Sequence, residues 1–209
     1  MKPENLSDID ASAVLYAGLT AWSGLFITGQ LRSCLNAFNP LKGGRGKKVL
    51  VLGGAGGVGS LAIQMLIAEG AQVIVTCAPD AVDQMHNLGV DHVIDYSSEN
   101  SDTELVMESP YDIILDCAGK GSEYAKQLPW TFGSYVTFKS PVLKNFDENG
   151  LISGGLMNAK DLIASQIPAL NSNGLVKWGY FIPAANGIKY LKYLCEKNKV
   201  CFLILGMFK

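Results

Sequence analysis

Seven residues, Gly53-Gly54-Ala55-Gly56-Gly57-Val58-Gly59, constrain this chain more than any others. They follow the run K-V-L-V-L at 48–52, which is short, apolar and rich in β-branched residues, the signature of a strand buried on both faces. They open residues 57–69, where Val58, Leu61, Ala62, Met65 and Leu66 recur at helical spacing and Gly70 supplies a stop. Gly54, Gly56 and Gly59 satisfy G-x-G-x-x-G in a strand–turn–helix context. One such glycine permits a tight turn, one lets a pyrophosphate approach the backbone, and one lets helix and strand pack closely. The helix N-terminus then offers N–H donors and the positive end of its dipole. The alternative is a turn that packs tightly and binds nothing.

The rest of the chain alternates in the same way. Helices are expected over Ala11–Phe26, Asp80–Leu88, Thr103–Glu108, Lys160–Leu170 and Ala184–Glu196. Strands are expected over Val73–Thr76, Val93–Asp95, Tyr111–Leu115, Ser134–Phe138 (after a turn at Gly133) and Val176–Phe181. That alternation predicts an α/β chain of Rossmann type, a doubly wound parallel sheet covered on both faces. The expected organisation is a helical segment at 1–30, a glycine-rich basic loop at 31–47, a dinucleotide-binding domain at 48–199 and an apolar tail at 200–209.

Composition narrows the function. Of 209 residues, 48% are hydrophobic and 17% charged, which suits a packed core, and a net charge of −2 argues against a nucleic-acid partner. No apolar run reaches the roughly 18 residues of a membrane span, and so no transmembrane segment is expected. Residues 1–10 carry Glu4, Asp8 and Asp10 and no arginine, unlike a transit peptide, so the chain read as it stands is placed in the cytoplasm. Cys34, Cys77, Cys117, Cys195 and Cys201 form no C-x-x-C pair, and His86 and His92 are the only histidines, so neither a disulfide framework nor a metal site is expected. Two histidines supply no Ser/His/Asp arrangement, no carboxylates pair as acid and base, and no catalytic side chain is assigned. Hydride transfer needs neither, since a cofactor carries the chemistry.

Selectivity at the adenosine ribose rests on the end of the second strand. An acid there binds the hydroxyls and repels a 2′-phosphate. The position that aligns is neutral Cys77, and Asp80 reads as the cap of the next helix. NADP is therefore allowed, though no Lys or Arg lies between Cys77 and Asp95 to favour it.

Four stretches, Y-A-G-L-T-A-W at 16–22, V-L-V-L-G-G-A-G-G-V-G at 49–59, L-G-V-D-H-V-I-D-Y at 88–96 and D-I-I-L-D-C-A-G at 112–119, resemble the zinc-independent quinone-oxidoreductase branch of the medium-chain dehydrogenases/reductases. The resemblance implies hydride transfer from NADPH, with NADH as the alternative, to a small-molecule quinone or other conjugated carbonyl. It also implies a mitochondrial setting and a link to ubiquinone synthesis. By position it implies that Ala55, Gly56, Gly57 and Val58 line the pyrophosphate, with Gly54 and Gly59 shaping the turn. It puts Ala78 near the 2′-phosphate, where a serine is usual, and Tyr96 at the adenosine end. Cys117 falls at a strand end where the family often has asparagine, and Thr20 near the nicotinamide. Tyr96, Cys117 and Thr20 also have purely structural readings, as a half-buried aromatic, a core thiol and a helix-packing hydroxyl.

Against that family, Met1 falls near the end of the GroES-like catalytic domain, so residues 1–30 read as its remnant and linker helix. Residues after Lys199 are apolar and unlike the family pattern. The expectation is an NAD(P)H-dependent oxidoreductase by family, with these 209 residues alone weakly active or inactive. The alternative is a module that binds NADPH without turnover. The helix Ala13–Leu25 and the tail would lack cover, which makes self-association an expected consequence.

Overall fold

The computed structural model describes residues 2–4, 6–32, 43–140 and 174–200, with 153, 156 and 160 as single positions. Helix α1 (Asp8–Trp22) runs directly into a π-helical turn, Ser23–Thr28. Then follow β1 (Lys48–Leu52), α2 (Gly57–Glu69) and β2 (Gln72–Cys77). A 3-10 turn (Pro79–Ala81) leads into α3 (Val82–Leu88), β3 (His92–Asp95), α4 (Ser101–Glu108) and β4 (Tyr111–Asp116). The described elements close with α5 (Ser122–Gln127), β5 (Phe132–Thr137), β6 (Leu175–Trp178) and α6 (Ala185–Glu196).

The six strands form one sheet in the order β3-β2-β1-β4-β5-β6, every pair parallel. The order reverses between β1 and β4, so the crevice of an open α/β sheet lies at the C-terminal ends of those two strands. Alternation along β1 shows the double winding. Val49 and Val51 join an apolar cluster with Leu61, Met65 and Leu191, while Leu50 and Leu52 join one with Ile114, Tyr135 and Val176. Gly70 ends α2 in the left-handed region at φ 75°, its N–H donating to the carbonyl of Ile67, a conformation that a side chain would strain.

The α/β Rossmann-type sheet agrees with the sequence reading, and the details differ in instructive places. Strand β5 starts at Phe132, so Gly133 lies within it rather than in a preceding turn. Strand β6 ends at Trp178, and Tyr180 and Phe181 lie beyond it at the sheet's edge. Helix α5 has only six residues and was too short to show a periodicity. Asp80 does not cap a helix through its side chain; it sits inside the 3-10 turn, where Pro79 presets the backbone. Of the expected helix Lys160–Leu170 only Lys160 is described, and the rest of it and the tail after Val200 lie outside the described residues.

Helix α1 is better covered than its composition suggested. Val14, Leu19 and Ala21 of α1, with Leu25 of the π-helical turn, are buried in the same cluster as the sheet, and α1 packs against α2 and α6. Ala11–Thr28 is one continuous helical stretch of 18 residues with mean hydropathy 1.3, which corrects the reading that no run reaches that length. Its buried face is the packing face of a core helix. Leu15, Tyr16 and Ile27 remain exposed.

Candidate nucleotide and acceptor cleft

The glycines of the turn divide into two groups by what a side chain would meet. A Cβ on Gly54 would fall 2.0 Å from a methyl of Val75, and one on Gly59 would fall 2.3 Å from the Gly53 carbonyl oxygen. Both residues are buried. Gly56 and Gly57 are exposed, and a Cβ on either would find its nearest neighbour at 3.6 and 4.0 Å. The outer glycines thus let strand and helix close together. The inner two leave the backbone bare toward solvent, as a phosphate needs.

Hydrogen bonds hold the turn in this shape. The N–H groups of Gly53 and Gly54 both donate to the carbonyl of Thr76, at 3.1 and 2.9 Å, and Gly53 N–H also reaches the Thr76 hydroxyl. Gly53 itself sits at φ 80° and packs on Ala118, so the turn after β1 rests on the turn after β4. No side chain caps the N-terminus of α2, whose cap residue is Gly56. Its leading amides are therefore aimed at the space in front of Gly56 and Gly57.

The other expected site residues spread along the same edge. Ala78, half-buried and extended, follows Cys77 at the end of β2. Tyr96 is exposed just past β3, its N–H donating to the Cys77 carbonyl at 3.2 Å. Cys117 is half-buried just past β4 and continues the ladder by donating its N–H to Leu52. Burial, with the neighbouring Asp116 carboxylate, pushes the Cys117 thiol well up. Thr20 lies on α1, buried, with its hydroxyl donating to the Tyr16 carbonyl at 2.9 Å. The structure therefore brings Gly54, Ala55, Gly56, Gly57, Val58, Gly59, Ala78, Tyr96 and Cys117 to the C-terminal edge of β1–β4. Thr20 approaches through α1, where Ala17 stands 4.0 Å from the position of a Gly57 Cβ.

The Cys77 side chain is fully buried in the core beside Met85 and Val75, so it faces away from the crevice. Burial and then the carboxylates of Asp95 and Asp80 raise its thiol. The end of β2 therefore carries negative charge nearby even though the aligned position is neutral.

Sequence reasoning missed Asp116. Its fully buried carboxylate accepts from Lys120 N–H at 3.0 Å, Gly121 N–H at 2.8 Å and the Thr137 hydroxyl at 2.8 Å. It fixes the loop after β4 against β5. The available signal was an acid ending an otherwise apolar strand, followed by G-K-G. Sequence reasoning also missed the contact of Tyr16 with Phe181, whose rings stack with centroids 5.0 Å apart. Among the described residues no three His, Cys, Asp or Glu side chains gather as metal ligands.

Comparison with known proteins agrees with this geometry. Residues 57–129 match the zinc-binding dehydrogenase family. The mitochondrial NAD(P)H oxidoreductase RTN4IP1 of Drosophila melanogaster is 48% identical over 203 residues, 97% of this chain and 49% of the fly protein. The human protein of the same name is 32% identical over 202 residues, 95% of this chain and 49% of its own length. The chain spans about half the length of the curated relatives it matches. Among solved structures, the quinone oxidoreductase from Coxiella burnetii superposes with a TM-score of 0.65 at 24% identity, over 98% of this chain and 54% of that one. CurK enoyl reductase gives 0.66 at 18% identity, over 97% and 55%. Likeness at these identities is one of fold.

Sheet order and family match together define a Rossmann-type domain of the medium-chain dehydrogenase/reductase superfamily, with the glycine turn at its crevice. The chain's close homologues within that superfamily are the RTN4IP1 NAD(P)H oxidoreductases.

Proposed function

We propose that this chain holds NADPH, or NADH, across the C-terminal edge of its sheet, as the cofactor-binding part of an oxidoreductase that reduces a quinone or another conjugated carbonyl. The observation that carries the reading is the bare backbone at Gly56 and Gly57 in front of an uncapped helix N-terminus. These residues fit a pyrophosphate: they leave room, supply amide donors and add the helix dipole. Gly54 and Gly59 keep the turn tight enough to aim those donors. Ala78 and Tyr96 would border the adenosine, while Cys117 and Thr20 would lie toward the nicotinamide. When bound, the dinucleotide supplies the hydride, and the protein's part is to bind, orient and exclude water.

The homologues' names place those proteins in mitochondria, and we extend that setting, with a role linked to ubiquinone synthesis, to this protein. Calorimetric titration of the chain with NADPH tests the reading. Saturable binding is expected, and it should be lost in Gly56→Val, whose side chain fills the space a phosphate would use. Equal affinity in the two proteins would overturn the assignment.

A further inference from the structure

We propose that Tyr16 and Phe181 form an aromatic wall that the flat, uncharged acceptor stacks against. The proposal rests on the oxidoreductase reading and names the acceptor's contact within it. Tyr16 is 65% exposed and Phe181 40%, yet the two rings are stacked on each other with an interplanar angle of 22°. Large rings left this open are normally driven to bury. The helix that carries Tyr16 borders the glycine turn, since Ala17 of α1 stands 4.0 Å from the position of a Gly57 Cβ.

The wall is built on rigid supports. The Ser23 hydroxyl lies between the carbonyls of Thr20, at 3.0 Å, and Tyr180, which ties the segment after β6 to the end of α1. Below it, Phe138 fills the gap between the two. A Cβ on Gly24 would come 2.7 Å from the Phe138 ring, and one on Gly179 would come 2.8 Å from it. The segments that carry the two rings are therefore held together by a packed aromatic.

The chemistry of the pair selects the occupant. Tyr16 and Phe181 are planar and neutral, so the wall offers a π face and no charge. A quinone or enone is flat, conjugated and electron-poor, and it stacks in offset fashion on an electron-rich ring. The nicotinamide would be held from the glycine turn, and the open face of Tyr16 would bound the space beyond it.

The test uses the 209-residue chain loaded with NADP+, so that no hydride moves. The probe is duroquinone, whose fully substituted ring does not alkylate Cys117. Its affinity is measured by ligand-observed saturation-transfer NMR in the parent chain, in Tyr16→Leu, in Phe181→Leu and in Tyr16→Phe. NADP+ affinity is measured in each by calorimetry. Expected is a roughly threefold to tenfold weaker duroquinone affinity in both Leu variants, the range that ring stacking supplies. Tyr16→Phe should restore it, and NADP+ affinity should stay within twofold throughout. Duroquinone binding that is absent from the loaded parent, or unchanged in both Leu variants, overturns the wall. A loss confined to NADP+ overturns it too, by giving the rings to the nicotinamide. Failure of the parent to bind NADP+ at all overturns the oxidoreductase reading, and the wall falls with it.

Discussion

A Cβ on Gly59 would stand 2.3 Å from the carbonyl oxygen of Gly53, whereas one on Gly56 would come no closer than 3.6 Å to that same oxygen. Two glycines of one turn, three residues apart, thus serve separate ends. The first keeps helix and strand in contact, and the second keeps a surface open.

Stability should separate them. Gly59→Ala forces a methyl against backbone, which cannot move aside as a side chain can, and overpacking of this kind costs about 1–3 kcal/mol. For a chain of this size each kcal/mol lowers the midpoint by roughly 2–4 °C. Gly56 is extended at φ −71°, so Gly56→Val should leave the melting temperature near that of the parent. Thermal unfolding by circular dichroism compares the two. An unchanged midpoint in Gly59→Ala would show that the turn can relax.

Acid should weaken the fold through Glu69. This fully buried carboxylate at the end of α2 pairs with the Arg32 guanidinium, accepts from Tyr190 Oη at 2.8 Å and accepts from Gly43 N–H at 2.9 Å. Burial acts to raise its titration point, but those hydrogen bonds and the Arg32 charge outweigh it and hold the group below its ordinary value. A carboxyl lowered in the folded state contributes stability that is complete above its unfolded value, about 4.3, and is lost as pH falls through the folded value. Arg32→Met removes the counter-charge of the buried carboxylate, which typically costs about 3–5 kcal/mol. Urea unfolding at pH 7 and pH 4 should show both the large loss in Arg32→Met and a shallower pH dependence in Glu69→Gln than in the parent.

The two nicotinamide cofactors should be poorly distinguished. Ala78 offers no hydrogen bond to a 2′-phosphate, and the carboxylates of Asp80 and Asp95 lie close enough to Cys77 to raise its thiol. Ala78→Arg would add a charge-assisted contact of about 1.5–3 kcal/mol, roughly tenfold to a hundredfold in NADPH affinity with little change for NADH. Calorimetry with both cofactors measures the ratio. A parent preference above a hundredfold either way would contradict the expectation.

Much of the fold was legible because its signals are local. The α2 boundaries, Gly57 and Glu69, follow from a glycine turn before an apolar period and a glycine after it. Strands of consecutive apolar residues, such as those around Leu50 and Ile114, announce burial on both faces. The short elements were less visible. Six residues at Ser122–Gln127 cannot display a helical period, and Gly133 reads as a turn although β5 carries it within a strand.

By itself the sequence determined the parallel α/β class, the position of the glycine turn between β1 and α2 and the set of residues along the strand ends, since period and glycine spacing act over neighbours in the chain. Only the tertiary structure decided that Cys77 faces the core, that Asp116 ties β4 to Thr137, that Glu69 meets Arg32 and Tyr190, and that Tyr16 meets Phe181. Those pairs lie 21 to 165 residues apart, as the numbering shows. Which of them come together depends on how sheet order and helix packing close the chain on itself, and no local period records that.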